Sequence, residues 1–196
     1  MNSTARLETF SDGVFAIAAT LLILEIRLPE GGSVTHGLLH AWPSYVAYAI
    51  SFLTIGIIWV NHHTVLQQIG RVDRTFLFIN IGFLMLVAFS PFPTRVVAEH
   101  LRHGSKAAAF AYGLTFTLMA VSYSAMWFYA AIGRRLIAED ADQRVVSGIS
   151  RSFAPGSLIY GTAMLSSLLS AYPAVALYGA IALFYVLESS IFGRDG

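Results

Sequence analysis

The chain has 196 residues, a formal net charge of +1, no cysteine, and apolar side chains at 56% of its positions. A mean hydropathy of +0.66 is foreign to a soluble domain of this size and fits a compact polytopic membrane protein. Near-neutral charge argues against a nucleic-acid partner, and the missing cysteines exclude disulfides, thiolate metal sites and cysteine nucleophiles.

Apolar segments over about residues 7–28, 41–67, 75–97, 106–134, 150–171 and 173–191 predict one all-α domain, 1–196, of six transmembrane helices. The first segment is not a signal peptide by pattern, since Arg6, Glu8 and Asp12 precede it and no small-residue cleavage site follows. It is also a poor lipid-facing helix. Between Asp12 and Glu25 lie twelve uncharged residues, about 18 Å of helix against a hydrocarbon core of about 30 Å. Both carboxylates therefore fall at or inside the membrane boundary, where a lipid-facing charge costs several kcal/mol. This helix must be surrounded by others or line water.

Later segments are joined by short loops, with Pro29-Glu30-Gly31-Gly32-Ser33 the clearest turn cluster. Arg134 to Arg151 reads as a loop or a modest surface helix. With the N-terminus inside, Arg6, Arg71, Arg74, Arg134, Arg135, Arg144, Arg151 and Arg194 fall on the cytoplasmic side. Arg27, Arg95, Arg102 and Lys106 fall outside. The excess predicts that both termini are cytoplasmic. The Phe10-Ser11-Asp12 segment has no second copy in residues 98–196, so a pore on a symmetry axis would need several identical chains.

On a helical wheel Ile17, Leu21 and Leu24 share one face, with Gly13 and Thr20 beside them, while Asp12 lies about 140° from Ile17. Two readings stay open on periodicity alone. Either the stripe packs against other helices, or Ile17, Leu21 and Leu24 form a hydrophobic constriction that gates by excluding water and ions. Thr20 either meets a permeating ion or bonds back to the Ala16 carbonyl.

The motif Arg6-x-x-x-Phe10-Ser11-Asp12, running into Ala16-Ile17-Ala18-Ala19-Thr20-Leu21-Leu22, resembles the signature of the transmembrane protein 175 family. Trp59-Val60-Asn61-His62-His63 and, more weakly, Ser90-Pro91-Phe92-Pro93-Thr94 extend the resemblance. The resemblance implies a homotetramer of six-span chains, a potassium channel with helix 1 of each chain lining the pore. It implies a constriction at Ile17 with further layers at Leu21 and Leu24, and Thr20 on the same wall. It further implies a network of Arg6, Phe10, Ser11, Asp12, Trp59 and His63 anchoring helix 1. Longer members carry two six-span repeats; this chain carries one, in line with four chains per channel.

Other residues carry less. His62 and His63 diverge by about 100° on a helix and make a poor metal pair; one is expected to contact Asp12 or Ser11 and the other to lie at the interface. His36, His40, His100 and His103 are expected to be solvated in loops. Tyr112-Gly113, Tyr160-Gly161 and Tyr178-Gly179 lack the preceding Thr-Val-Gly of a carbonyl filter and read as close helix packing, so selectivity for potassium over sodium should be weak. Glu25 is expected either to pair with Arg27 or to concentrate cations at the mouth. Asp12 and Glu25 stand about 20 Å apart, and no phosphate loop or nucleophile elbow occurs, so no enzyme activity, cofactor or resident metal is expected. The expected partners are further copies of the chain, the bilayer, potassium and other monovalent cations; the expected location is a prokaryotic cell membrane. The alternative is a secondary transporter or exporter of a small solute, for which Pro91 and Pro93 mark a candidate broken helix.

Overall fold

The computed structural model describes residues 3–28 and 33–192, the side chains of residues 3, 154 and 188–192 excepted. The Pro29–Gly32 turn cluster and Arg194 lie outside the described residues. Eight α-helices are formed among those residues: α1 (Ser3–Leu21), α2 (Val34–His40), α3 (Trp42–Gln67), α4 (Arg74–Phe89), α5 (Pro91–His100), α6 (Lys106–Ala131), α7 (Gln143–Ser166) and α8 (Ala171–Phe192). A tight helical turn, Leu22–Glu25, extends α1.

Helix starts follow local chemistry. The Asp73 carboxylate accepts from Phe76 N at 2.8 Å to cap α4, and Ser33 and Ser105 cap α2 and α6 through their hydroxyls, each satisfying an otherwise orphaned backbone donor. Asp142 does the same for α7, and so α7 begins at Gln143, well before the apolar run expected from residue 150. It ends at Ser166, because Ser167 to Ser170 turn back onto the Met164, Leu165 and Ser166 carbonyls.

Four helical stretches are long and apolar enough to cross a membrane among the described residues: Thr4–Glu25, Trp42–Gln67, Arg74–His103 and Lys106–Arg134. The apolar part of α8, Ala171–Leu187, is shorter, and the first turns of α7 carry Arg144, Ser147, Ser150, Arg151 and Ser152. Within Arg74–His103, α4 and α5 meet at Ser90. Pro91 and Pro93 cannot donate backbone hydrogen bonds; Ser90 Oγ donates to the Val87 carbonyl, which Pro91 cannot reach as a donor, and Thr94 Oγ1 donates to the Ser90 carbonyl, both at 2.8 Å. Thr94, Ser51 and Tyr112 then bond across α5, α3 and α6 at 2.9–3.0 Å.

The core centres on α6, which packs on α4, α5, α7 and α8. Trp127, Met126, Met119 and Phe116 on α6, and Phe76 and Phe83 on α4, are almost wholly buried. Two of the three Tyr-Gly pairs do mark close packing. A Cβ at Gly113 would strike the Tyr178 hydroxyl and lie 3.0 Å from Met164 Cα, and one at Gly179 would lie 3.3 Å from Ile50 Cδ1; Gly161 faces open space.

The charged groups separate to the two ends of the bundle. At the end holding the N-terminal half of α1, Arg71 donates to the Arg135 carbonyl at 2.8 Å, Gly70 N to Leu136 O, and Ala138 N to Gln68 O. Only glycine fits at position 70, where a Cβ would lie 2.8 Å from Ala138 Cα. At the other end His36 and His40 lie on α2, not in a free loop, with rings 4.9 Å apart. Arg102 binds the His40 carbonyl and ring, sits over Trp42, and its carbonyl accepts from Tyr172 at 3.0 Å. The adjacent Arg102 charge, with lesser help from desolvation and His36, holds the His40 imidazole below its ordinary pKa.

Candidate functional site

The first helix packs on α3 and α4 by one face and leaves the other open. Leu7, Ser11, Phe15, Ala18 and Leu22 are buried, a spacing of three to four residues that places them along one side. On the opposite side Phe10 is 59% exposed, Ile17 61%, Leu21 40% and Leu24 65%, with Gly13, Ala16 and Thr20 exposed among them. Every residue assigned to a constriction is thus uncovered by its own chain. Thr20 also lies on this face, and its hydroxyl donates back to the Ala16 and Ile17 carbonyls at 2.9 Å. Its oxygen keeps acceptor capacity toward the open side.

The buried face is tied down by polar bonds. Trp59 Nε1 on α3 donates to Asp12 Oδ1 at 2.8 Å. Deeper in, Ser11 Oγ donates to the Leu7 carbonyl at 2.9 Å and accepts from Asn80 Nδ2 of α4 at 3.2 Å. With its amide nitrogen so used, Asn80 offers Oδ1 to His62 Nε2 at 3.0 Å, which makes that ring nitrogen the donor. Ser11, Asn80 and His62 are 0–1% exposed; at such depth each polar group is costly unless paired, and the directed chain pairs them.

His62 is held by rings as well. It lies 5.5 Å from Phe15 of α1, 5.7 Å from Phe83 and 6.2 Å from Tyr123. His63 turns the other way and meets Glu8 of α1 at 2.7 Å. The expected division of the histidine pair therefore takes a different form: His62 reaches Ser11 through Asn80, and His63 pairs with Glu8 rather than Asp12.

Of the expected anchors, the structure brings Ser11, Asp12, Trp59 and His63 into contacts between α1 and its neighbours. Arg6 and Phe10 it does not. Both are exposed on the open side of α1, and Arg6 makes no hydrogen bond or ion pair among the described residues. Sequence reasoning missed Asn80, an amide inside the apolar run Phe76–Val87 that signals a bonded polar group, and Glu8, one turn below Asp12 on the same helix. Glu25 faces Arg95 at 3.8 Å, not Arg27; Arg95 is shared with Glu99 at 2.7 Å.

The model of the endosomal/lysosomal potassium channel TMEM175 matches residues 6–91, the segment that carries α1 and every α1 anchor just described. A potassium channel of Streptomyces collinus is 43% identical over 190 residues, covering 94% of this chain and 92% of that one. The chain belongs to the TMEM175 family. A potassium channel of Chamaesiphon minutus is 39% identical and covers 96% of both chains. The crystal structure of a lysosomal potassium-selective channel TMEM175 homolog from that organism superposes with a TM-score of 0.86 at 37% identity, over 95% of this family member and 97% of the other chain.

Proposed function

We propose that this chain is a passive, potassium-permeable, weakly selective cation channel, built as a homotetramer of six-span subunits in a prokaryotic cell membrane with both termini cytoplasmic. The single observation that carries the pore is α1 itself: one face bonded to α3 and α4, the other a continuous uncovered stripe. A face that neither its own chain nor charge-tolerant solvent covers is satisfied by facing a symmetry axis, where four copies meet. Rings of Ile17, Leu21 and Leu24 form the hydrophobic constriction, and dewetting between them closes it. Thr20 contributes a hydroxyl to the same wall. Ser11, Asp12, Trp59 and His63, with Glu8, His62 and Asn80, hold the helix so that its stripe stays aimed at the axis. Glu25, tied to Arg95, sits toward the outer mouth.

Potassium flux into liposomes containing purified protein tests this reading, wild type beside Ile17→Asn. An amide in the constriction favours water and should raise or reshape the conductance. Conductance unchanged in Ile17→Asn moves the gate away from Ile17. Absent flux in both proteins, with folding verified, rejects the channel and favours the transporter. Native mass spectrometry of the detergent-solubilised protein tests the tetramer.

A further inference from the structure

At the end of the bundle that holds Leu24, one cation is divided between two acids. Arg95 Nε of α5 donates to Glu99, one turn further on, at 2.7 Å and reaches the Glu25 carboxylate only at 3.8 Å. The second distance is too long for a hydrogen bond. Glu25 Oε2 is buried and makes no hydrogen bond among the described residues, and no other cation there lies within ion-pair distance of either acid. Two carboxylates thus share one guanidinium, and the acid on the extension of α1 is the one left incompletely neutralised.

Covalent geometry keeps this charge close to the open stripe. Glu25 directly follows Leu24, which is 65% exposed on the open side of α1. Consecutive Cα atoms stand about 3.8 Å apart. Adding one glutamate side chain and the 3.8 Å gap to Arg95 puts the guanidinium within about 15 Å of the Leu24 backbone. This bound holds whichever way either side chain points. Salt then decides whether such a charge is felt, because the Debye length is about 30 Å at 0.01 M and about 3 Å at 1 M. At low salt, fixed charge at a pore mouth sets the local concentration of the permeating ion.

We infer that Arg95 determines how much acidic charge the Leu24 mouth presents to entering potassium, and so sets the cation supply of the pore. This rests on the channel reading, with α1 on a four-fold axis. Each subunit then contributes Glu25, Glu99 and Arg95, a trio of net charge −1. Removing the Arg95 charge doubles the net negative charge of the trio, and removing that of Glu99 cancels it. Four unit charges about 15–20 Å from the axis change the local potassium concentration about twofold to threefold at 0.01 M salt and hardly at all at 1 M. Arg95 and Glu99 are 37% and 46% exposed one turn apart; an ion pair of that kind contributes little to folding, so its charges can be altered without loss of the fold.

Currents through the full-length protein in planar bilayers of phosphatidylcholine test this, recorded in symmetric KCl at about 0.01 M and about 1 M, the two screening limits. The zwitterionic lipid adds no net surface charge, and the ratio of the two conductances cancels the number of channels. Arg95→Gln should raise the low-salt to high-salt ratio about twofold to threefold over wild type, and Glu99→Gln should lower it by about as much. Arg95→Lys, which keeps the charge, should restore the wild-type ratio. A merely structural ion pair would make the two losses act alike. An unmoved ratio in Arg95→Gln, shifts of the same sign in Arg95→Gln and Glu99→Gln, or Arg95→Lys behaving as Arg95→Gln would overturn the inference and leave the channel standing. Absence of current in every protein refutes the channel reading, and the role of Arg95 falls with it.

Discussion

The buried chain from His62 through Asn80 to Ser11 makes a quantitative demand. Replacing Asn80 by Leu removes the acceptor of His62 Nε2–H, now at 3.0 Å, inside a ring cage of Phe15, Phe83 and Tyr123. Ser11 loses only a donor, because its own proton already goes to Leu7 O. The cost is therefore one unsatisfied buried N–H, about 1–3 kcal/mol. For a chain of this length, a loss of about 2 kcal/mol corresponds to a midpoint lower by about 4–8 °C. His62→Phe alone keeps the ring contacts but strands Asn80 Oδ1, at similar cost. The double variant His62→Phe/Asn80→Leu removes both partners, and apolar replacement of both is close to neutral. Its midpoint should recover at least half of the summed single losses, a coupling of about 1–2 kcal/mol. Thermal denaturation of all four proteins, followed by fluorescence-detected size exclusion, measures this. Strictly additive losses would refute the proposed pairing.

Three further outcomes are expected. Trp59→Phe removes the donor to Asp12 while keeping an aromatic in place, so α1 should loosen; hydrogen exchange of residues 7–15 should accelerate, with α6 unaltered. Gly113→Ala forces a methyl against the Tyr178 hydroxyl and Met164 backbone and should cost about 1–3 kcal/mol, partly regained with Tyr178→Phe, as read from thermal midpoints. The Asp73 carboxyl titrates below its ordinary value, chiefly through the Phe76 backbone donor and then the Tyr129 hydroxyl, which donates at 2.8 Å. Because the folded pKa is the lower one, the unfolded chain binds the extra proton first, and the contribution of Asp73 is present above the ordinary carboxylate pKa and lost as pH falls through the lowered value. Asp73→Ala should be less stable at neutral pH and show a shallower acid-unfolding limb than wild type.

Much of this protein is local in origin, and that part was legible in the sequence. Hydropathy and length marked the long helices, because a bilayer-facing backbone must satisfy its own hydrogen bonds. The wheel put Asp12 behind the Ile17, Leu21 and Leu24 face, since that follows from rise and twist alone, and the structure has Trp59 bonded to Asp12 there. Arg6, near the same line on the wheel, is exposed there in the structure. Partners that arrive from other helices were decided only by packing. Helical periodicity constrains the direction of a side chain but not what stands opposite it, so Arg95 rather than Arg27 meets Glu25, Glu8 takes His63, and Asn80 links His62 to Ser11. The early start of α7 escaped hydropathy because a cap at Asp142, not apolar surface, sets it. The half-open cleft between α3, α6, α7 and α8 could not be read from any segment, for its walls come from helices far apart in the chain and its volume is what their side chains fail to fill.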